Sequence, residues 1–201
     1  MKRILKHLLW IIPNLIVVAI LAGVGYTASA RSTEAQYHAS LPKSLQVSSD
    51  DFQNGTAMPV QFSCSGAGIS PEIKWTGAPE NTKSYALITM DWDAPSPSLR
   101  MFPIVHWVVY NIPKDVAEIG QGWKSEDFSQ RHISQGVNIA GAAAYAPPCP
   151  PLGRHQYTFH VYALDVDQIQ PASNNKAGVM SAMQGHILGK AVYGGLFRRP
   201  Q

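Results

Sequence analysis

Residues 85–110 read YALITMDWDAPSPSLRMFPIVHWVVY. Two near-continuous apolar runs, Tyr85–Met90 and Val105–Tyr110, flank a stretch broken by Pro95-Ser96-Pro97. Each run has the length of a strand, and a run apolar on both faces belongs inside a sheet. The stretch therefore predicts two central strands joined through a turn. Outward from it, Leu45–Val47, Val60–Phe62, Ile73–Trp75 and Tyr157–Leu164 are further short runs. Asn54-Gly55, Ser65-Gly66-Ala67-Gly68 and Gly77-Ala78-Pro79 punctuate them as turns. Alternation in Tyr157–Leu164 puts His160 on one face with Thr158 and Tyr162, and Tyr157, Phe159, Val161 and Ala163 on the other. One helix is expected near the C-terminus, where Val179, Met183, Ile187 and Ala191 recur at spacings of four. Ser173 or Asn174 would cap it and Gly194-Gly195 would stop it. A helical turn fits around Pro113–Ile119, and the weakly periodic, Gly/Ala-rich stretch 120–148 reads as a long loop, part of it the wall or lid of a site.

Composition agrees with a turn-rich β domain. The chain has 201 residues, of which 45% are apolar and only 14% charged, with 16 Gly and 15 Pro. Such a chain builds a core rather than staying disordered, and it has room for one domain with a short appendage. Lys2, Arg3 and Lys6 account for the net charge of +3. The rest of the chain is neutral and has no Lys/Arg run, which argues against nucleic-acid binding.

Residues 1–30 read as an export signal or a membrane anchor. The basic start precedes an apolar stretch, and Ala28-Ser29-Ala30 offers a cleavage site. Leu8–Tyr26 is close to the roughly 20 residues that span a bilayer, although Pro13 and Asn14 interrupt it. Cleavage after Ala30 is the favoured reading. Either way residues 31–201 lie outside the cytoplasm, in the periplasm or secreted, or anchored in the inner membrane. Residues 31–43 are polar and read as a linker ahead of a domain over 44–201. In that compartment Cys64 and Cys149 allow one disulfide, with two buried thiols as the alternative.

Three segments carry chemistry. Asp91 and Asp93 sit two apart after the first central strand, so they share a side if the chain is extended. Like charges that close need a cation or N–H and O–H donors. His106-Trp107 opens the next strand, and Pro147-Pro148-Cys149-Pro150-Pro151 leads to His155 and Tyr157, again two apart. Singly, each reads as turn, core or chain-direction chemistry. Together they place two His, two Asp and a Tyr at strand–loop junctions, where sites concentrate. No H-E-x-x-H or G-x-S-x-G motif marks a hydrolase.

The set resembles the phosphatidylethanolamine-binding protein (PEBP) family, and within it the bacterial Raf-kinase-inhibitor-like (YbhB/YbcL-type) branch. The matching segments are Phe62-Ser63-Cys64-Ser65-Gly66, Ser70-Pro71, Trp75, Asp91-Trp92-Asp93-Ala94-Pro95, His106-Trp107, Pro148–Tyr157, a closing Met183–Gly189 helix and Gly195–Arg198. They run in order over residues 44–198. The resemblance implies a mainly β fold: a large antiparallel sheet packed on a smaller one, with one or two peripheral helices, here preceded by an apolar N-terminal helix. It implies a cis Ala94–Pro95 bond. It also implies a small anion pocket lined by Asp91, Asp93, His106, His155 and Tyr157, rimmed by Cys149, Pro150 and Pro151. The expected ligand is a phosphate or a phospholipid headgroup such as phosphoethanolamine, bound without catalysis and without a cofactor. Modulation or inhibition of a protein partner goes with it. The alternatives are a metal-assisted hydrolase built on the Asp/His cluster and a protease-inhibitor-like interaction module. The chain departs from the family pattern at Trp92, which would add an aromatic near the mouth, at Pro147, and at Asn138-Ile139-Ala140-Gly141.

Overall fold

A computed structural model describes residues 2–200, with side chains from residue 11 onward. Helix α1 runs Lys2–Ser40, and its basic start at Lys2, Arg3 and Lys6 lies outside the described side chains. The helix is long and apolar enough to cross a membrane, and Ile11, Leu15, Val18 and Leu21 project from it unburied. That is compatible with a signal or an anchor. The polar stretch after it is helical as far as Ser40.

Among the described residues nine strands form two sheets. The smaller is three-stranded and antiparallel: β1 (Gln46–Ser48), β3 (Ile73–Thr76) and β6 (Glu118–Ile119), with β3 in the middle. The larger has β2 (Thr56–Ala57), β4 (Ser84–Ala94), β5 (Phe102–Pro113), β7 (Ser134–Gly136), β8 (His155–Leu164) and β9 (Ile187–Phe197). Its order is β2-β9-β8-β4-β5-β7, antiparallel except for the short parallel β2–β9 pair. The two apolar runs of 85–110 are thus the central β4 and its neighbour β5. The sheets enclose the main core, with Phe62, Trp75, Leu87, Trp107, Phe159 and Val161 buried. Burial of each such side chain contributes on the order of 1.5–3 kcal/mol.

The alternation in β8 holds. Tyr157, Phe159, Val161 and Ala163 face the main core, and Tyr162 joins a second core on the outer face with Ile88, Met90 and Val108. Helix α3 (Lys176–Met183) covers that outer core through Val179 and Met183. Helix α2 (Ser125–Gln130) packs Phe128 edge-on against Trp107.

Four local expectations change. The C-terminal helix stops at Met183, Gly185 turns the chain at φ 82°, and Ile187 and Ala191 belong to β9. A spacing of four is even, so it also keeps residues on one face of a strand. The pattern could not separate the two, and the long pairing with β8 decides for the strand. Gly194 and Gly195 lie inside that strand, and the cap is Asn175, whose Oδ1 accepts from Gly178 N at 2.9 Å. Val60–Phe62 is a single 3-10 turn, closed by Ser63 N and Oγ donating to Val60 O. Around Pro113–Ile119 a turn bonded from Val116 N to Pro113 O leads into β6 rather than a helix. The stretch 120–148 is not a bare loop, since it contains α2 and β7.

Candidate functional site

Three adjacent strands bring the polar cluster together. In the β4–β8 register Asp91 lies opposite Tyr157, and on the other side of β4 it lies opposite Ile104 of β5. His106 follows two residues along β5. His155 and Tyr157 share a face of β8, with rings stacked at 6.4 Å between centroids. The His106 ring meets Tyr157 edge-on at 5.0 Å. All five residues are buried, His155 completely.

The carboxylates are held by protein groups. Asp91 Oδ1 accepts from Asp93 N at 2.6 Å, and its Oδ2 lies 2.7 Å from His155 Nδ1. Asp93 Oδ2 accepts from Gln156 N at 2.9 Å, and its Oδ1 pairs with Arg100 Nε at 3.0 Å. The like charges of the Asp pair are therefore separated by separate partners. His155 Nε2 lies 3.1 Å from Leu152 O. Both of its ring nitrogens thus face acceptors, and only the doubly protonated ring donates to both. Asp91 and His155 form a buried, hydrogen-bonded pair beside the His106 and Tyr157 rings.

Two groups stay open. His106 Nδ1 donates to Ala146 O at 2.7 Å, while its Nε2 is buried with no hydrogen-bond partner among the described residues. Burial pushes the His106 ring below its ordinary value, and His155 adds to that, against the opposing pull of Ala146 O and Asp91. Nε2 is then a bare lone pair in a dry place. The Tyr157 hydroxyl makes no hydrogen bond to another described residue, and burial together with Asp91 keeps it protonated. It is a free donor beside a ring that can gain a proton.

The rim is stiff. Cys149 is bonded to Cys64, with Cα atoms 5.4 Å apart, and Cys64 N donates to Pro148 O at 3.0 Å. Between Pro147 and Pro151 only Cys149 has a backbone N–H to offer. Pro150 and Pro151 continue into the Leu152–Gly153 turn, where Gly153 at φ 83° lies against Pro97 of the loop after the cis Ala94–Pro95 bond.

Sequence reasoning missed three supports. Arg100 neutralises Asp93 from a left-handed backbone position at φ 45°. Asn138 accepts from Ala140 N and Ala142 N and donates to Ala144 O, which shapes the turn that presents Ala146 O to His106. Tyr145 is pinned through its hydroxyl to Phe62 O. Asn138 carries a legible signal, since an Asn side chain readily closes a turn onto the backbone N–H two residues on, and Gly141 follows. Arg100 carries none. Trp92 is half-buried against the outer core and not at the mouth, because its neighbour Asp91 takes the other face of β4. Among the described residues no three His, Cys, Asp or Glu side chains are placed to hold a metal.

Relatives share this architecture. The family model for phosphatidylethanolamine-binding protein matches residues 48–198. The UPF0098 protein of Chlamydia muridarum is 37% identical over 155 residues, covering 77% of this chain and 99% of the relative. The crystal structure of a PEBP homologue, CT736 of Chlamydia trachomatis, superposes with a TM-score of 0.69 at 34% identity, covering 79% of this chain and 99% of that one. Escherichia coli YbcL, described as a new member of the mammalian PEBP family, gives 0.68 at 29%, covering 78% and 99%. With three quarters of its length matched, the chain belongs to the phosphatidylethanolamine-binding protein family.

Proposed function

We propose that the protein binds a small phosphate-bearing anion at the His106–Tyr157 cluster, without chemical turnover, on the outer side of a membrane. Membership of the family supports a ligand-binding or protein-interaction role in general. The observation that carries the specific reading is the unpartnered, buried Nε2 of His106 beside the free hydroxyl of Tyr157. An anion accepts from Tyr157 and stabilises a proton on Nε2, so that both become charge-assisted donors. Cys149 N–H is a further donor within the rim. A phosphate or a phosphoethanolamine headgroup meets this chemistry. The metal-assisted hydrolase reading has no such support, because Asp91, Asp93 and His155 already spend their polar atoms on protein partners.

The location draws on the apolar helix α1 and on the Cys64–Cys149 bond, which suits an oxidising compartment. Retention as an anchor and cleavage after Ala30 both put the site outside the cytoplasm. A second reading, modulation of a protein partner, is favoured by exposed Leu99 and Leu152 on two loops that meet at Pro97 and Gly153. Crosslinked capture of a partner, abolished in Leu99→Asp/Leu152→Asp, would test that reading.

The binding test is a thermal-shift titration with phosphate, O-phosphoethanolamine and divalent metals. Wild type runs beside His106→Gln and Tyr157→Phe. A bound ligand raises the melting temperature by mass action. A rise with phospho-compounds, reduced in both variants, supports the reading. No response to them, with a clear response to metal, overturns it.

A further inference from the structure

The last turns of α1, which precede the family match at residue 48, pack on the outer face of the large sheet. Lys176 of α3 donates to Glu34, the His38 and His160 rings meet at a tilt of 35° with centroids 4.9 Å apart, and Lys190 N donates to Pro42 O at 2.8 Å. Between helix and sheet lies a cavity of about 240 Å³, lined by Arg31 and Glu34 of α1, Trp92 and Asp93 of β4, His160 of β8 and Lys190 of β9, among others. It opens on the face of β8 that carries Gln156, Thr158 and His160, opposite Tyr157 and His155.

Its charge is unbalanced. Glu34 is taken by His38 and Lys176, and Asp93 by Arg100 and Gln156 N. Arg31 and Lys190 make no ion pair among the described residues. Lys190 is only 7% exposed. A buried ammonium without a counter-ion is costly, and burial here, with Lys43 nearby, pushes Lys190 down to about 8 despite Glu34. His160 adds a second unmet group. Thr158 Oγ1 gives its one proton to Met90 O, so His160 Nε2–H must donate to Thr158. The lone pair on Nδ1 is then buried with no partner among the described residues, on a side chain 8% exposed. Two cationic donors and one acceptor face a single small cavity.

We propose that this cavity is a second anion site, taking inorganic phosphate, or a phosphomonoester in its monoprotonated form, whose oxygens bind Arg31 and Lys190 and whose one P–OH donates to His160 Nδ1. Sulfate has the charge but no hydroxyl at neutral pH, so it binds more weakly. The monoester is either free in solution or the headgroup of phosphatidic acid, since Arg31 follows the apolar part of α1.

The test is calorimetric titration of the full-length chain in non-ionic detergent with inorganic phosphate and with sulfate. Wild type is compared with Arg31→Gln, Lys190→Met and His106→Gln. The site predicts phosphate binding that persists in His106→Gln, and in each of the other two variants a loss or about tenfold or greater weakening of that one step while the His106 step remains. Arg31→Gln removes a charge at a partly exposed position, so it keeps the test valid if Lys190→Met fails to fold. Titrations of Arg31→Gln that superimpose on wild type overturn the proposal. So does loss of all phosphate binding in His106→Gln alone, which would leave only the family pocket. In nanodiscs of phosphatidylcholine with added phosphatidic acid, loss of the phosphate titration assigns the site to the lipid headgroup. An unchanged titration assigns it to soluble phosphate.

Discussion

Removing the Cys64–Cys149 bond should lower the stability of the fold by a few kcal/mol. The bond joins residues 85 apart in sequence, and it ties the 3-10 turn region to the Pro-rich rim. In the chain-entropy treatment a closed loop of that length constrains the unfolded state by about 4.5 kcal/mol at 25 °C, and measured effects usually fall at about 2–4 kcal/mol. For a chain this long, 1 kcal/mol moves the melting temperature by about 2–4 °C. Cys64→Ser/Cys149→Ser should therefore melt about 5–15 °C below wild type. Wild type in reductant should fall by a similar amount, which separates loss of the bond from any effect of the serines. The assay is far-UV circular dichroism on heating, with the oxidised wild type as reference. A double variant or reduced protein melting within about 2 °C of the oxidised chain would refute the reasoning.

Acid should destabilise the fold before the carboxylates titrate. Burial lowers His106 below 6.5 and His160 to about 3, so the unfolded chain takes up protons that the folded chain refuses. Stability is full above the unfolded value and falls as pH drops below it. Melting temperatures at about pH 7 and about pH 5 should differ, and His160→Gln should shrink the difference. At Arg100, φ 45° penalises a side chain, so Arg100→Gly should be more stable than Arg100→Ala by about 1 kcal/mol, read by urea denaturation. Gly195→Ala would place a Cβ 2.2 Å from Met58 Cγ and 2.8 Å from Phe52 Cε2. It should cost about 1–3 kcal/mol, whereas a glycine ending a helix would tolerate the change far better.

The sheet core was legible because β4 and β5 carry runs that are apolar on both faces, β8 alternates, and turn residues bound all three. Those three strands also carry the candidate site residues near their ends, the set that the family resemblance implies. The C-terminal helix and β9 were confused because a four-residue spacing satisfies both periods. The partners of the site residues were less legible. Whether His155 faces solvent or Asp91 depends on strand register, which a local pattern does not specify. Arg100 reaches Asp93 through a turn whose backbone conformation no residue in it announces. The packing of residues 31–40 on the sheet was hidden because a polar stretch after an apolar helix looks the same whether it docks or dangles.

His106 Nε2 is the atom on which the functional reading turns. Nitrogen NMR of the His106 ring, in the full-length chain, should show an unprotonated Nε2 near neutral pH. Addition of O-phosphoethanolamine should convert it to the protonated form, and affinity should fall as pH rises, because binding takes up a proton. An Nε2 resonance that does not move at saturating ligand would contradict the account and place binding elsewhere.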